Sequence, residues 1–259
     1  MAADRFVATE GIHNFRDYGG WEGAGGRRVR RGFLYRSGQH VGASDADLAA
    51  FAALGIRTVI DLRGLSERER HPCRRIAGWD GEVVFHEGET SSGPPHMDVD
   101  PATTTADFAR DRMMAVYTRM PRNPAMQAMF ARYLAVLAER EGASLVHCFA
   151  GKDRTGMAAT ILLHILGASE ADQRAEFLLT NAAPTLAVLA AQSLPGIEAR
   201  LGRKLDAQAQ RALLEVDGRY LDRFLEVAAQ DHGSFDGWLE AAIGVDDVLR
   251  QRLQDRYLA

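Results

Sequence analysis

The chain has 259 residues, 46% of them apolar and 25% charged, with 31 basic against 35 acidic side chains and a net charge of −4. That length supports a substantial core without disulfide or metal staples, and the mild acidity argues against a nucleic-acid binder. Two cysteines, Cys73 and Cys148, exclude a disulfide scaffold and a paired-cysteine zinc site, and they favour a reducing compartment.

The opening residues show no basic region followed by an apolar stretch, so a standard secretory signal is not expected. A cytoplasmic location is the expectation, with export by another route left open. No apolar run reaches the length of a membrane span. The longest candidate, 157–166, is interrupted by Thr160 and His164 and closed by Gly167. Of the 31 basic residues only Lys152 and Lys204 are lysines.

In chain order, the glycine cluster at 19–26 has no helix after it and reads as a hairpin rather than a dinucleotide-binding turn. Short β-rich stretches at 32–37, 56–62, 82–86 and 145–148 alternate with helical or loop patterns, which predicts an α/β layered fold. Ser44 is a natural N-cap for a helix with an acidic first turn, and Gly55 should stop that helix before a β-branched strand. Asp61 and Arg63 then fall at a strand's C-terminal end, where sites collect in open α/β sheets. They either border a pocket or form a buried ion pair. Arg16 and Asp17 likewise either brace a site from behind or solvate a hairpin.

Residues 88–121 form a long excursion between two strands, either a functional lid or a loop without structure of its own. Six of the eight methionines lie between Met97 and Met129, which suits a docking surface or a helix packed on the core. Asp98, Asp100, Asp107 and Asp111 are each a mobile acid or, more simply, a cap or surface charge. Arg68, Arg70, Arg74 and Arg75 make a basic cluster, read as a solvated face or an attractor of anions. After Gly167 the chain reads as helix at 169–180, 184–192, 207–214, 219–230, 234–243 and 245–258, giving a helical layer over one side of the sheet across 168–259.

The sharpest feature is Leu145-Val146-His147-Cys148-Phe149-Ala150-Gly151-Lys152-Asp153-Arg154-Thr155-Gly156, followed by an apolar helical run. A buried strand delivers a cysteine, five residues intervene, and an arginine opens a helix. A loop curled around a helix N-terminus aims backbone N–H groups at one centre, and Arg154 can grip two phosphoryl oxygens. The same field favours the Cys148 thiolate, a nucleophile for phosphoryl transfer. The Thr155 hydroxyl can hydrogen-bond the sulfur, and Asp153 is the nearest candidate acid. Cys73 reads as a bystander or a resolving thiol. His13, His86 and His96 show no ligand spacing, so neither metal nor cofactor is expected.

This loop resembles the active-site loop of the cysteine-dependent phosphatases, and its His-Cys-x-Ala-Gly-Lys-Asp-Arg-Thr-Gly form is similar to the atypical bacterial tyrosine and lipid phosphatases of the mycobacterial protein tyrosine phosphatase B type. Asn14-Phe15-Arg16-Asp17-Tyr18-Gly19-Gly20, Leu34-Tyr35-Arg36-Ser37, Val59-Ile60-Asp61-Leu62-Arg63, Leu178-Leu179-Thr180-Asn181 and Gly233-Ser234-Phe235-Asp236 resemble further blocks of that family. The resemblance implies one phosphatase domain over 1–259, with a mostly parallel central sheet flanked by helices. It implies Cys148 as nucleophile, Arg154 as phosphate clamp and Asp153 as the general acid carried in the loop. Phe149, Ala150, Gly151 and Lys152 would complete the phosphate cradle, with His147, Asp61 and Arg63 near the pocket. Lys152 matches the position that supplies extra positive charge in members acting on phosphoinositides, and the helical lid would fall at about 88–121. Phosphotyrosine proteins or peptides are the expected substrate, inorganic phosphate the product, and phosphoinositides or a dual specificity the alternative. An inactive phosphate-binding module is the reading from another class. One departure is Glu176-Phe177, which stands where the family has Asp-Tyr.

Overall fold

A computed structural model of the chain describes residues 3–90 and 106–259. Five strands build one sheet in the order β1-β2-β5-β3-β4: β1 (Arg16–Asp17), β2 (Leu34–Ser37), β3 (Ile56–Asp61), β4 (Glu82–Phe85) and β5 (Ala143–His147). All pairs are parallel except the edge pair β1–β2. The central strand β5 is buried along its whole length, as a parallel strand covered on both faces must be. Alternate residues feed two cores. Leu34, Ile60 and Val146 point to the larger one, while Tyr35, Val59 and Leu145 point to the smaller.

The smaller core is closed by α1 (Asp45–Ala53). Ser44 caps that helix in a capping box with Asp47, and Gly55, at φ +62°, turns the chain into β3. The larger core holds α4 (Pro124–Glu139), α5 (Asp153–Ile165), α9 (Gly218–His232) and α11 (Asp247–Tyr257). Almost every residue of α5 is buried, the pattern of a helix enclosed on all sides. The remaining helices are α2 (Leu65–Arg70), α3 (Ala106–Arg119), α6 (Glu170–Leu178), α7 (Leu186–Leu201), α8 (Ala207–Leu214) and α10 (Phe235–Trp238), the last running into a π-turn at Leu239–Ile243.

Several boundaries differ from the sequence reading. β1 is only two residues long, too short to show a period. α7 runs past its expected end at 192 and through Pro195, which is exposed and forfeits one N–H bond. The glycine cluster does form a hairpin, bridged between Glu22 and Arg28 with Gly25 and Gly26 at positive φ. Met113, Met120, Met126 and Met129 are buried in the larger core, so packing rather than docking explains them. Within 88–121 the described parts are residues 88–90, α3 and a 3-10 turn; Met97, Asp98, Asp100 and His96 lie outside the described residues. Among the described residues no single helix is long and apolar enough to cross a membrane.

Candidate active site

Strands β2, β3 and β5 end level, with Ser37, His147 and Asp61 side by side in register. The loop that follows β5 therefore emerges between two neighbours at the C-terminal edge of the sheet, and α5 begins at Asp153. Three of its carbonyls, those of Phe149, Gly151 and Lys152, are held by hydrogen bonds. Gln39 N–H donates to Phe149 O (2.9 Å), while Asn14 Nδ2 and Arg36 Nη2 both donate to Gly151 O (2.8 Å each). Gly156 N–H and Arg36 Nη2 donate to Lys152 O (2.9 and 3.4 Å). In a planar trans peptide the N–H points opposite to its carbonyl, so the N–H groups of Ala150, Lys152 and Asp153 face the loop interior. Gly151 makes this possible. Its φ is +66°, and a Cβ there would sit 2.3 Å from the carbonyl carbon of Ser37.

Beneath the loop lies a buried ionic brace. Glu176 of α6 accepts from Arg36 Nη1 (2.6 Å) and from Arg16 (2.8 Å), and all three side chains are at most 1% exposed. Arg16 also donates to the Asn14 side chain, and Asn14 takes a left-handed backbone, φ 58°. Arg16 thus stands behind the loop, whereas Asp17 accepts from Gly19 and Gly32 N–H and stays in the hairpin. The departure at 176–177 is thereby accounted for: Glu176 bridges two arginines, and the Phe177 ring packs so closely on Gly156 that a Cβ there would come within 2.9 Å of it.

Arg154 is gripped from one side. Glu67 of α2 accepts from Nη1 (2.6 Å) and Nη2 (2.8 Å), and Nη1 also approaches Leu62 O and Thr90 Oγ1. Burial opposes the Arg154 charge, but Glu67 outweighs it and raises its pKa; burial likewise opposes the Glu67 carboxylate, and Arg154 holds it down. The Nε–H and the second Nη2–H have no bonded protein acceptor among the described residues, which leaves a two-donor edge for an oxyanion. Glu67 was not legible as a partner of Arg154. Its only local signal is the capping box it forms with Gly64 N–H (3.1 Å).

Cys148 is 3% exposed at the start of the loop. The buried Thr155 hydroxyl has no hydrogen-bond partner among the described residues, so the expected bond to the Cys148 sulfur is absent here. Asp153 Oδ1 accepts from the Tyr117 hydroxyl of α3 (2.6 Å). Lys152 does not turn its ammonium into the cradle. Its Nζ donates to Leu213 O (2.6 Å) and Glu215 O (3.3 Å) at the end of α8, and lies 3.8 Å from Asp153 Oδ1.

Asp61, Arg63 and His147 are 3%, 1% and 0% exposed, a buried cluster rather than a pocket wall. Arg63 bonds Asp61 (2.7 and 2.9 Å) and also reaches Gln39, the His71 carbonyl and Cys73 Sγ. Burial raises the Asp61 pKa, but His147 and Arg63 outweigh that and hold it at about 2. Burial pushes His147 down to about 4. Ligand atoms of Asp61, Cys73 and His147 lie within 4.8 Å of one another, with the Arg63 guanidinium already bonded to two of the three.

The weaker candidates are taken up elsewhere. Arg68 donates to His86 O, Arg70 to Ser66, Arg74 to Asp45 and Arg75 to the Arg74 carbonyl. Asp107 pairs with Arg110, and Asp111 is exposed. His13 contacts Thr185, and His86 accepts from Gly88 N–H.

A model of the tyrosine phosphatase family matches residues 7–259. A candidate tyrosine-protein phosphatase of Cupriavidus necator is 35% identical, over 98% of this chain and 88% of its own length. The triple specificity protein phosphatase PtpB of Mycobacterium tuberculosis is 28% identical, over 93% of this chain and 96% of its own. A tyrosine-protein phosphatase of Nostoc commune is 32% identical over 50% of this chain and 42% of its own. The chain belongs to the tyrosine phosphatase family and is a phosphoric monoester hydrolase of the protein-tyrosine-phosphatase type.

Proposed function

We propose that this chain hydrolyses phosphotyrosine in proteins or peptides through a cysteinyl-phosphate on Cys148. The observation that carries this is the bidentate grip of Glu67 on Arg154, which leaves the Nε and second Nη2 donors without an acceptor among the described residues, beside the loop that starts at Cys148. In the first step the Cys148 thiolate forms the S–P bond as the P–O bond breaks, and Asp153 gives its proton to the departing phenolic oxygen. In the second, Asp153 takes a proton from water as water attacks phosphorus, and the sulfur leaves as thiolate. Inorganic phosphate is the product. Thr155, whose buried hydroxyl has no hydrogen-bond partner among the described residues, can turn to the sulfur as it leaves.

The Lys152 ammonium, engaged by α8 carbonyls, favours a tyrosine ester over a polyphosphorylated inositol ring, which would call on extra charge in the cradle. Phosphoinositide or dual specificity remains the second reading, favoured by the likeness to a triple specificity phosphatase. A reducing, cytoplasmic setting suits a reaction that needs Cys148 as a free thiol.

The test is phosphate release from phosphotyrosine, phosphoserine and phosphothreonine peptides and from inositol lipids, with Cys148→Ser as blank. Release from phosphotyrosine at least tenfold above the others supports the reading. Preferential release from lipids overturns the substrate class, and turnover by Cys148→Ser overturns the nucleophile.

A further inference from the structure

Tyr117 lies outside every motif that marks the phosphate loop, yet its hydroxyl lies 2.6 Å from Asp153 Oδ1. The ring is 0% exposed, stacked on Tyr220 (5.2 Å between centroids, 21° between planes) and met edge-on by Phe177 (6.2 Å, 84°). Those contacts hold the ring, and with it the phenolic oxygen, in place beside Asp153. Burial, and then Asp153 itself, raise the Tyr117 pKa well above the ordinary value, so the phenol stays a neutral donor at any working pH.

We infer that Tyr117 is a positioning residue for the general acid: it occupies Oδ1 of Asp153 and leaves Oδ2 as the oxygen that carries the proton to the leaving group. This rests on the acid role given to Asp153 above. A carboxyl group accepting a hydrogen bond on one oxygen bears its proton on the other. As the P–O bond breaks, its electron pair goes to the phenolic oxygen, the Oδ2 proton follows, and negative charge appears on the carboxylate. The Tyr117 hydroxyl bonds that charged form more strongly than the neutral acid, so its effect is largest in the transition state. Tyr117 keeps its own proton throughout. With Phe at 177, the hydroxyl that reaches Asp153 comes from α3, across the Phe177 ring edge.

The experiment is kcat/KM across a series of aryl phosphates whose phenols run from strongly to weakly acidic. It compares the wild-type protein with Tyr117→Phe, Asp153→Asn and the double variant. Tyr117→Phe keeps the ring, and thermal unfolding checks the fold. We expect about a tenfold loss with weakly acidic phenols and less than about twofold with strongly acidic ones, with the double variant falling no further than Asp153→Asn. A uniform loss across the series, or none, overturns the proposal and leaves Tyr117 a packing residue. Uniform slowing by Asp153→Asn is a different failure: the acid then lies elsewhere, and the role of Tyr117 falls with it.

Discussion

The phosphate loop and the α7–α8 pair meet at Lys152 and are held by different forces. Beneath the loop, Arg16, Arg36, Glu176 and Asn14 form a buried network of charge-assisted bonds that holds the Gly151 and Lys152 carbonyls. The α7–α8 pair instead has a four-residue apolar cluster of its own, Ile197, Leu201, Leu205 and Ala209, set apart from the two main cores. It is tied to the loop by Lys152 and to the N-terminal segment through Thr185, which contacts His13 and Asn14. Dispersion contacts tolerate small displacements. A hydrogen-bonded ionic network does not, and in the proposed mechanism the loop is the part that must hold its geometry.

The largest test of this contrast is Glu176→Gln, which leaves two buried guanidinium groups without their carboxylate. Breaking a buried pair in this way costs about 3–5 kcal/mol, to be read by denaturant unfolding. A cost below about 1 kcal/mol would mean that the bonds from Asn14 and Arg36 carry the loop unaided.

Acid should come next, because it acts on both regions. Burial pushes His13 and His147 to about 4, and His40 moves in the same direction. These folded-state values lie below the ordinary 6.5, so the stability they confer is full above that pH and is lost as pH falls from 6.5 toward 4. From pH 7.5 to 5.5 the loss is about 1.3 kcal/mol for each of His13 and His147, with His40 adding to it. Unfolding curves that superimpose at the two pH values would contradict the burial argument.

The smallest effect belongs to the satellite cluster. Leu201→Ala should cost about 2 kcal/mol, the lower end for a buried leucine, because so small a cluster can collapse around the gap. Hydrogen exchange should rise in α7 and α8 while β5 stays protected. Equal loosening of β5 would erase the distinction between the two regions.

What could be read from the sequence follows the same division. The strands β2, β3 and β5 were visible as short β-branched or apolar runs because the sheet is covered on both faces, and the phosphate loop was visible because ten consecutive residues carry it. Its partners were not. Glu67 is 87 residues from Arg154 and Tyr117 is 36 from Asp153, and each sits in a pattern that an ordinary helix would also show. The orientation of Lys152 was equally hidden: the carbonyls it meets are backbone groups of Leu213 and Glu215, which have no signature in the sequence. Glu176 showed only as a departure from the family pattern, and its bond lengths to Arg16 and Arg36 turn that departure into a brace.

The brace also sets an order of events during synthesis. A ribosome that has finished Gly156 has made every residue of the phosphate loop, but not Glu176, without which Arg16 and Arg36 lack their shared carboxylate. Strand β5 must meanwhile find Leu34 to Ser37, made more than a hundred residues earlier. Late, non-local pairing of this kind makes the nascent chain slow to organise. The growing chain therefore carries Cys148 for some time before the loop around it has its brace.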